Sequence, residues 1–227
     1  MSECFRKEMK YIISLESYLR IQGMLQCLLQ PDIHGVDGGY MVRSQYYDSM
    51  TDADLKDNID GVMEKRKIRV RIYSPDAATA KLEYKCKTGA DGIKKSVTLT
   101  REEVLMMERG EYSFLLEKDS ELAHYLYTKM TQQYYSPKTI IEYDRIAYTY
   151  PVSDVRITFD KNLRGTANPY GIFEENPIYI PLLTPDKGVL EVKYNDFFPS
   201  ALKPLLDSLE DVAESYSKYS SSRLAFL

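Results

Sequence analysis

Short stretches of the chain alternate charged and apolar residues with a period of two, the pattern of a β-strand with one polar and one apolar face. The alternation is clearest in Lys67-Ile68-Arg69-Val70-Arg71-Ile72. It recurs in Lys81-Leu82-Glu83-Tyr84-Lys85-Cys86-Lys87, in Val155-Arg156-Ile157-Thr158-Phe159-Asp160 and in Leu190-Glu191-Val192-Lys193-Tyr194. Glu8-Met9-Lys10-Tyr11-Ile12 and Tyr143-Asp144-Arg145-Ile146-Ala147-Tyr148 follow it less regularly, and 41–48 and 96–100 complete the predicted strands. Helices are predicted between them. Residues 15–30 space leucines and isoleucine at helical intervals and stop at Pro31. Thr100-Arg101-Glu102-Glu103 forms a capping box opening a short helix that ends near Gly110. Residues 119–133 and 204–216 are further helices, the latter with Pro204 in its first turn. Loops are expected at 31–40, 50–61, 74–79, 88–93 and 161–188, with a turn at Asp37-Gly38-Gly39. No repeat or linker divides the 227 residues, which predicts one domain over 1–227.

The charged members of these strands are not a random sample. Lys10, Lys67, Arg69, Arg71, Lys81, Lys85, Lys87, Arg145, Arg156 and Lys193 are basic, whereas Glu8, Glu83, Asp160 and Glu191 are acidic. This set carries +6 in a chain whose net charge is −4, so the remainder carries −10. For one strand, a solvated face is the simpler reading. Six such strands are another matter, because like charges opposed across strands repel and their concentration calls for an anionic partner. A closed antiparallel barrel covered by helices would turn the apolar set outward under the helices and the charged set into the lumen. There, arginine forks would grip phosphate and lysines would add point charges. Alternate residues lie roughly 6.5–7 Å apart, so Arg69 and Arg71 could clamp neighbouring phosphates. The carboxylates would repel such a ligand unless they bound a cation, which makes Glu8, Glu83 and Glu191 candidate ligands for Mg²⁺ or Mn²⁺. For Glu83, between Lys81 and Lys85, neutralisation of those lysines is an equal alternative. Glu191 is the better metal candidate.

Composition narrows the chemistry. Two histidines, His34 and His124, and three scattered cysteines, Cys4, Cys27 and Cys86, support neither a zinc site nor a disulfide scaffold. Cys86, on the apolar parity of its strand, is expected in the core. No stretch approaches the roughly 18 apolar residues of a membrane span, and the charged N-terminus lacks the apolar segment of a signal peptide. A cytoplasmic protein with no direct membrane insertion is expected. The negative net charge gives no reason to expect nucleic acid.

Glu8-x-Lys10, Arg69-x-Arg71, Leu82-Glu83-x-Lys85, Tyr143-x-Arg145, Arg156-x-Thr158, Leu190-Glu191-x-Lys193 and Ser217-Lys218 occur in an order that resembles the VTC domain. This is the catalytic part of the vacuolar transporter chaperone polyphosphate polymerase, within the triphosphate tunnel metalloenzyme, or CYTH-like, superfamily. The resemblance runs from about Arg6 to Arg223. It implies an α+β fold, a closed eight-stranded antiparallel tunnel barrel flanked by helices. It implies phosphate binding by Lys10, Arg69, Arg71, Lys85, Arg145, Arg156, Lys193, Ser217 and Lys218, with Tyr143 beside them, and metal binding by Glu191. Lys10, Arg69, Arg71, Arg145 and Arg156 are the residues expected to serve catalysis. The implied reaction passes the terminal phosphoryl group of ATP to a polyphosphate end, which requires alignment, charge neutralisation and a metal but no histidine base. Arg69→Ala and Arg145→Ala are expected to abolish polyphosphate binding without unfolding the protein.

Two departures matter. The hydrolase and cyclase branch begins Glu-x-Glu-x-Lys, whereas the matching positions here read Arg6-x-Glu8-x-Lys10, which disfavours that branch. The sensing domain and membrane anchor of the eukaryotic polymerases are not found in the sequence, which reads as a stand-alone bacterial-type version. Ser215 stands where the fungal enzyme has another lysine, so the exit of the tunnel is expected to hold phosphate less strongly. A tripolyphosphate or nucleoside triphosphate hydrolase, and a non-catalytic polyphosphate-binding module, are the alternatives to a polymerase.

Overall fold

The computed structural model describes residues 6–32, 39–89, 91–209, 213 and 216–226. Cys4, His34, the first two residues of the Asp37-Gly38-Gly39 turn, and Ser215 lie outside them. The elements in chain order are β1 (Arg6–Ser14), α1 (Leu15–Leu28), β2 (Gln30–Pro31), β3 (Tyr40–Asp48), α2 (Ala53–Ile59), β4 (Glu64–Ile72), β5 (Thr79–Thr88), β6 (Asp91–Thr100), α3 (Arg101–Glu108), α4 (Glu121–Gln132), β7 (Ser136–Tyr150), β8 (Val155–Thr166), β9 (Ile180–Pro181), β10 (Lys187–Asn195), α5 (Lys203–Asp207) and α6 (Lys218–Ala225). The fold is α+β, an antiparallel sheet flanked by helices.

The chain forms two compact units. The first comprises Met1–Met41, Tyr143–Arg164 and Pro181–Ser217, and the second Val42–Glu142, Gly165–Ile180 and Lys218–Leu227. In the first unit the strand order is β1-β10-β8-β7. Its core takes the apolar parity of those strands, including Ile13, Ile157, Phe159, Leu190 and Val192, together with Tyr18, Ile21 and Leu25 of α1. Ser14 caps α1 by accepting from the Ser17 amide at 3.0 Å. Burial at 18, 21 and 25 is the helical stripe that packs the helix, each such side chain contributing about 1.5–3 kcal/mol. Tyr18 stacks on Phe159 with ring centroids 4.1 Å apart.

In the second unit the order is β7-β3-β4-β5-β6. Ile68, Val70, Ile72, Leu82, Val97 and Leu99 form the sheet side of its core, and Val104 and Met107 of α3 with Ala123, Leu126 and Met130 of α4 form the helix side. The Thr100–Glu103 capping box is present in both directions, at 2.8 and 3.2 Å.

The closed eight-stranded barrel expected from sequence is replaced by an open order. β1 ends it in the first unit and β6 in the second, each with one strand neighbour among the described residues. Both are suited to edges, since Lys7 on β1 and Lys94 and Lys95 on β6 are exposed, and exposed lysines deter further pairing. Other boundaries also shift. The region 50–61 contains α2, whose first amides are bound by the Asp48 carboxylate, which accepts from Asp54 N and Leu55 N at 3.0 and 2.9 Å. β8 runs on to Thr166, shortening the expected 161–188 loop. The helix expected over 204–216 ends at Asp207 within α5. Cys86 is half-buried, not a core residue.

Gly188 sits where β10 passes β8, and a methyl group there would come within 2.5 Å of the Phe159 ring and 2.8 Å of the Asp160 carbonyl. Gly188→Ala is expected to destabilise the protein by roughly 1–3 kcal/mol in urea unfolding; an unchanged midpoint would contradict this packing.

Candidate functional site

Register brings the predicted residues together in two groups, one in each unit. In the second unit, antiparallel pairing sets Arg69 opposite Glu83 and Tyr46, and Arg71 opposite Lys81 and Ser44. β6 continues these rows, placing Ser96 opposite Glu83 and Lys94 opposite Lys85. Glu83 is the organising group. Its carboxylate is 4% exposed and meets Arg69 Nε at 2.7 Å, Lys94 Nζ at 2.5 Å and Arg71 Nη1 at 3.9 Å. Burial alone would raise its pKa, but Arg69, Arg71 and Lys94 outweigh it and bring it down to about 2. The expected neutralising role is toward Lys81 and Lys85, whereas the cations that Glu83 meets are Arg69, Arg71 and Lys94.

Arg69 also donates from Nη1 to the Tyr46 hydroxyl at 3.0 Å and lies over the Tyr46 ring, while Arg71 Nε donates to Ser44 Oγ at 3.2 Å. Burial would raise the Tyr46 phenol, but Arg69, Arg71 and Lys218 together lower it below its ordinary value. Lys218 therefore belongs to this neighbourhood. It opens α6. One row down from Arg69, Lys67, Lys85 and Lys94 stand directly opposite one another on three strands. Like charges so opposed repel, and Glu83 offsets the charge of Lys94 in this row.

In the first unit, Glu8 pairs with Lys193 and Lys10 with Glu191 across β1 and β10, while Glu191 pairs with Thr158 and Lys193 with Arg156 across β10 and β8. Lys10 Nζ meets Glu8 at 2.9 Å and donates to the Tyr216 carbonyl at 3.3 Å. Around Glu191 stand Lys193, Arg145 and Lys10 at 3.3, 3.9 and 4.0 Å. Arg145 is locked by a fork onto Asp160, with Nε and Nη2 donating at 2.7 and 2.8 Å, and it lies over the Tyr143 ring. Burial would lower its pKa, but Tyr143, Asp160 and Glu191 hold it well above the ordinary value. Arg156 is the most accessible of the arginines in the group, held by Asp32 at 2.5 Å and by the Tyr40 hydroxyl at 3.2 Å. Ser217 is half-buried immediately before α6. Each unit thus repeats one motif: an arginine fixed by a buried carboxylate and stacked on a buried tyrosine.

Sequence reasoning missed Lys94, which fell outside the predicted strand at 96–100 although the glycines at 89 and 92 mark a hairpin turn. It also missed Tyr46, Ser44, Asp32 and Tyr40, which contribute only through long-range pairing. The buried pair Arg43–Glu142, joined at 2.5 Å, was likewise unforeseen. Arg43 donates to the carbonyls of Ile172 and Glu174, and Glu108 accepts from Gly171 N and Ile172 N. The segment after β8 is thereby tied to the sheet. Among the described residues, no three of His, Cys, Asp and Glu cluster as metal ligands. Of the carboxylates expected to hold a metal in the first unit, Glu8 meets Lys10 and Lys193, and Glu191 meets Lys193, Arg145 and Lys10.

A family model described as the VTC domain matches residues 5–227. Among curated proteins, none matches the chain in sequence. Of solved structures, a Bacillus halodurans protein described as a candidate adenylate cyclase superposes with a TM-score of 0.55 at 13% identity, covering 93% of this chain and 96% of that one. A Vibrio parahaemolyticus protein described in the same way gives 0.51 at 12% identity, covering 96% and 97%. These likenesses show the shared fold. No helix among the described residues is long and apolar enough to cross a membrane.

Two outcomes follow from the ion pairs. Asp160 is fully buried, so Arg145→Ala removes a two-bond fork from a buried carboxylate and is expected to cost about 3–5 kcal/mol in urea unfolding, against the sequence expectation that it abolishes binding without unfolding the protein; a loss under 1 kcal/mol would contradict it. Glu83 has a lowered pKa, so its stabilisation is complete above the unfolded value of 4.5 and is lost as pH falls toward about 2. The stability gap between wild type and Glu83→Gln, roughly 3 kcal/mol, should hold above pH 5 and shrink below pH 4.5. A gap independent of pH would refute this assignment.

Proposed function

The chain belongs to the VTC domain family, and on that premise we propose that it is a polyphosphate polymerase, transferring the terminal phosphoryl group of ATP to the end of a polyphosphate chain. The observation that carries the reading is that cations on alternate strand positions are fixed in place by buried carboxylates before any ligand arrives. Arg69 and Arg71 on Glu83, and Arg145 on Asp160, are held in this way. Phosphoryl transfer demands alignment and charge stabilisation more than covalent participation by the protein, and fixed guanidinium groups supply both without reorganising during the reaction.

In this reading a terminal oxygen of the polyphosphate forms a bond to the γ-phosphorus of ATP, the bond from that phosphorus to the β,γ-bridging oxygen breaks, and ADP leaves. Lys10, Lys193 and Arg156 offset charge on the phosphate oxygens, Arg69 and Arg71 hold successive phosphates, and Arg145 keeps its orientation through Asp160. Tyr143 and Ser217 belong to the binding group of the first unit, and Lys85 and Lys218 to that of the second. The carboxylates of Glu191 and Glu8 suit Mn²⁺ or Mg²⁺, which when bound supplies further charge neutralisation and a template for the phosphates. Glu83, in direct contact with Lys94 at 2.5 Å and Arg69 at 2.7 Å, is not a metal ligand in this reading.

Incubation with ATP and Mn²⁺ should yield polyphosphate ladders on a gel, abolished by chelator. Lys10→Ala and Arg69→Ala should each slow formation by about 10²-fold while far-ultraviolet circular dichroism stays unchanged. Release of orthophosphate alone would make the protein a hydrolase. Tight polyphosphate binding with no turnover under any divalent metal would make it a binding module.

A further inference from the structure

α6 is anchored in the second unit at both of its ends. In its last turn, Arg223 donates from Nη1 and Nη2 to the two carboxylate oxygens of Asp52 at 2.8 and 3.0 Å, and Ser222 Oγ lies 2.7 Å from Thr139 Oγ1 on β7. In its first turn stands Tyr219, which is 1% exposed. Its hydroxyl donates to Asp48 Oδ2 at 2.7 Å, and its ring stacks on Tyr46 with centroids 5.2 Å apart. Asp48 is fully buried, and the same carboxylate accepts from the amides of Ser49, Asp54 and Leu55. A carboxylate bound by three backbone amides is a fixed point. Burial and the Asp48 charge hold the Tyr219 phenol well above its ordinary value, so the hydroxyl keeps its proton and stays a donor.

Packing alone would need only the ring, since phenylalanine stacks on a tyrosine equally well. The hydroxyl adds a bond that ties the first turn of α6 to the end of β3. Lys218 immediately precedes Tyr219 in that turn, and its charge reaches the Tyr46 phenol together with those of Arg69 and Arg71. The two arginines are oriented by Glu83. A lysine is a point charge on a flexible stem, so where Lys218 can act is set by where its backbone is held. We propose that Tyr219 is a positioning residue of the phosphate site, its hydroxyl bond to Asp48 setting Lys218 beside Arg69 and Arg71. The proposal rests on the reading of these cations as phosphate-binding and adds to it the residue that seats α6 among them. Tyr219 itself is buried and acts only through its neighbour.

The test uses the full chain and tripolyphosphate in chelator, by titration calorimetry. The variants are Tyr219→Phe, Lys218→Ala, the two combined, and Ser222→Ala, which breaks an anchor at the far end of α6 instead. Tyr219→Phe should weaken binding about 3–10-fold. The combined variant should bind no worse than Lys218→Ala alone, because both changes remove one contribution. Ser222→Ala should bind like wild type, however far its melting temperature falls. Equal affinity in Tyr219→Phe and wild type overturns the proposal and leaves the phosphate site standing, as does an additive loss in the combined variant. Equal weakening by Ser222→Ala, or a Tyr219→Phe chain that does not fold, would make Tyr219 structural and overturns it too. If wild type binds no tripolyphosphate, the phosphate reading of this cation group fails; if Lys218→Ala keeps wild-type affinity, Lys218 has no part in it; either result also ends the proposal. None of these measurements depends on ATP turnover, so they stand apart from the fate of the polymerase assignment.

Discussion

The organising constraint is that like charges on one strand face must be held apart and held still, and a few buried carboxylates do this. A sheet face with Arg69, Arg71, Lys67, Lys85 and Lys94 on adjacent positions would splay into solvent or destabilise its own pairing. Glu83, withdrawn from water and ionised far below its usual range, draws three of these cations to itself. Asp160 does the same for Arg145. Removing charges from water is expensive, and such pairs seldom add net stability. What they provide is orientation. Arg71 is buried in this group, whereas part of Arg69 and about half of Lys94 stay exposed.

Orientation depends in turn on the strands being rigid. Each unit backs its polar face with its own apolar core, built from the opposite parity of the same strands: Ile68, Val70 and Leu82 behind the Glu83 group, and Ile157, Leu190 and Val192 behind the Glu191 group. The alternation that places cations on one side thus buries aliphatic side chains on the other. In the second unit, Arg43 and Glu108 add a further layer by binding backbone groups of residues 171–174. The loop is tied down by side chains that take no part in the proposed chemistry.

The sequence makes part of this legible. Period-two alternation correctly marks β4, β5, β8 and β10 and puts the charged residues of the segments 67–72, 81–87, 155–160 and 190–194 on one face of each strand, because parity is a local property. Helices α1, α3 and α4 are readable from spacing and caps for the same reason. Closure of the sheet is not local. It depends on whether edge strands find partners, and the exposed lysines of β1 and β6 reveal that only once those strands are placed. Arg43–Glu142 spans 99 positions of chain, and Asp32 reaches Arg156 through a fold no spacing rule encodes. Asp48 caps α2 from the end of a strand, so its helix carries no capping signature of the usual form.

The central claim is that the carboxylate-anchored cations of each unit bind phosphate, and a crystal structure with tripolyphosphate and Mn²⁺ tests it most directly. The account predicts phosphate density against the guanidinium groups of Arg69 and Arg71 and against Lys10 and Lys193, with Mn²⁺ on Glu191. Phosphate found only on exposed lysines away from Glu83, Asp160 and Glu191, with those ion pairs undisturbed and no metal beside them, would contradict it.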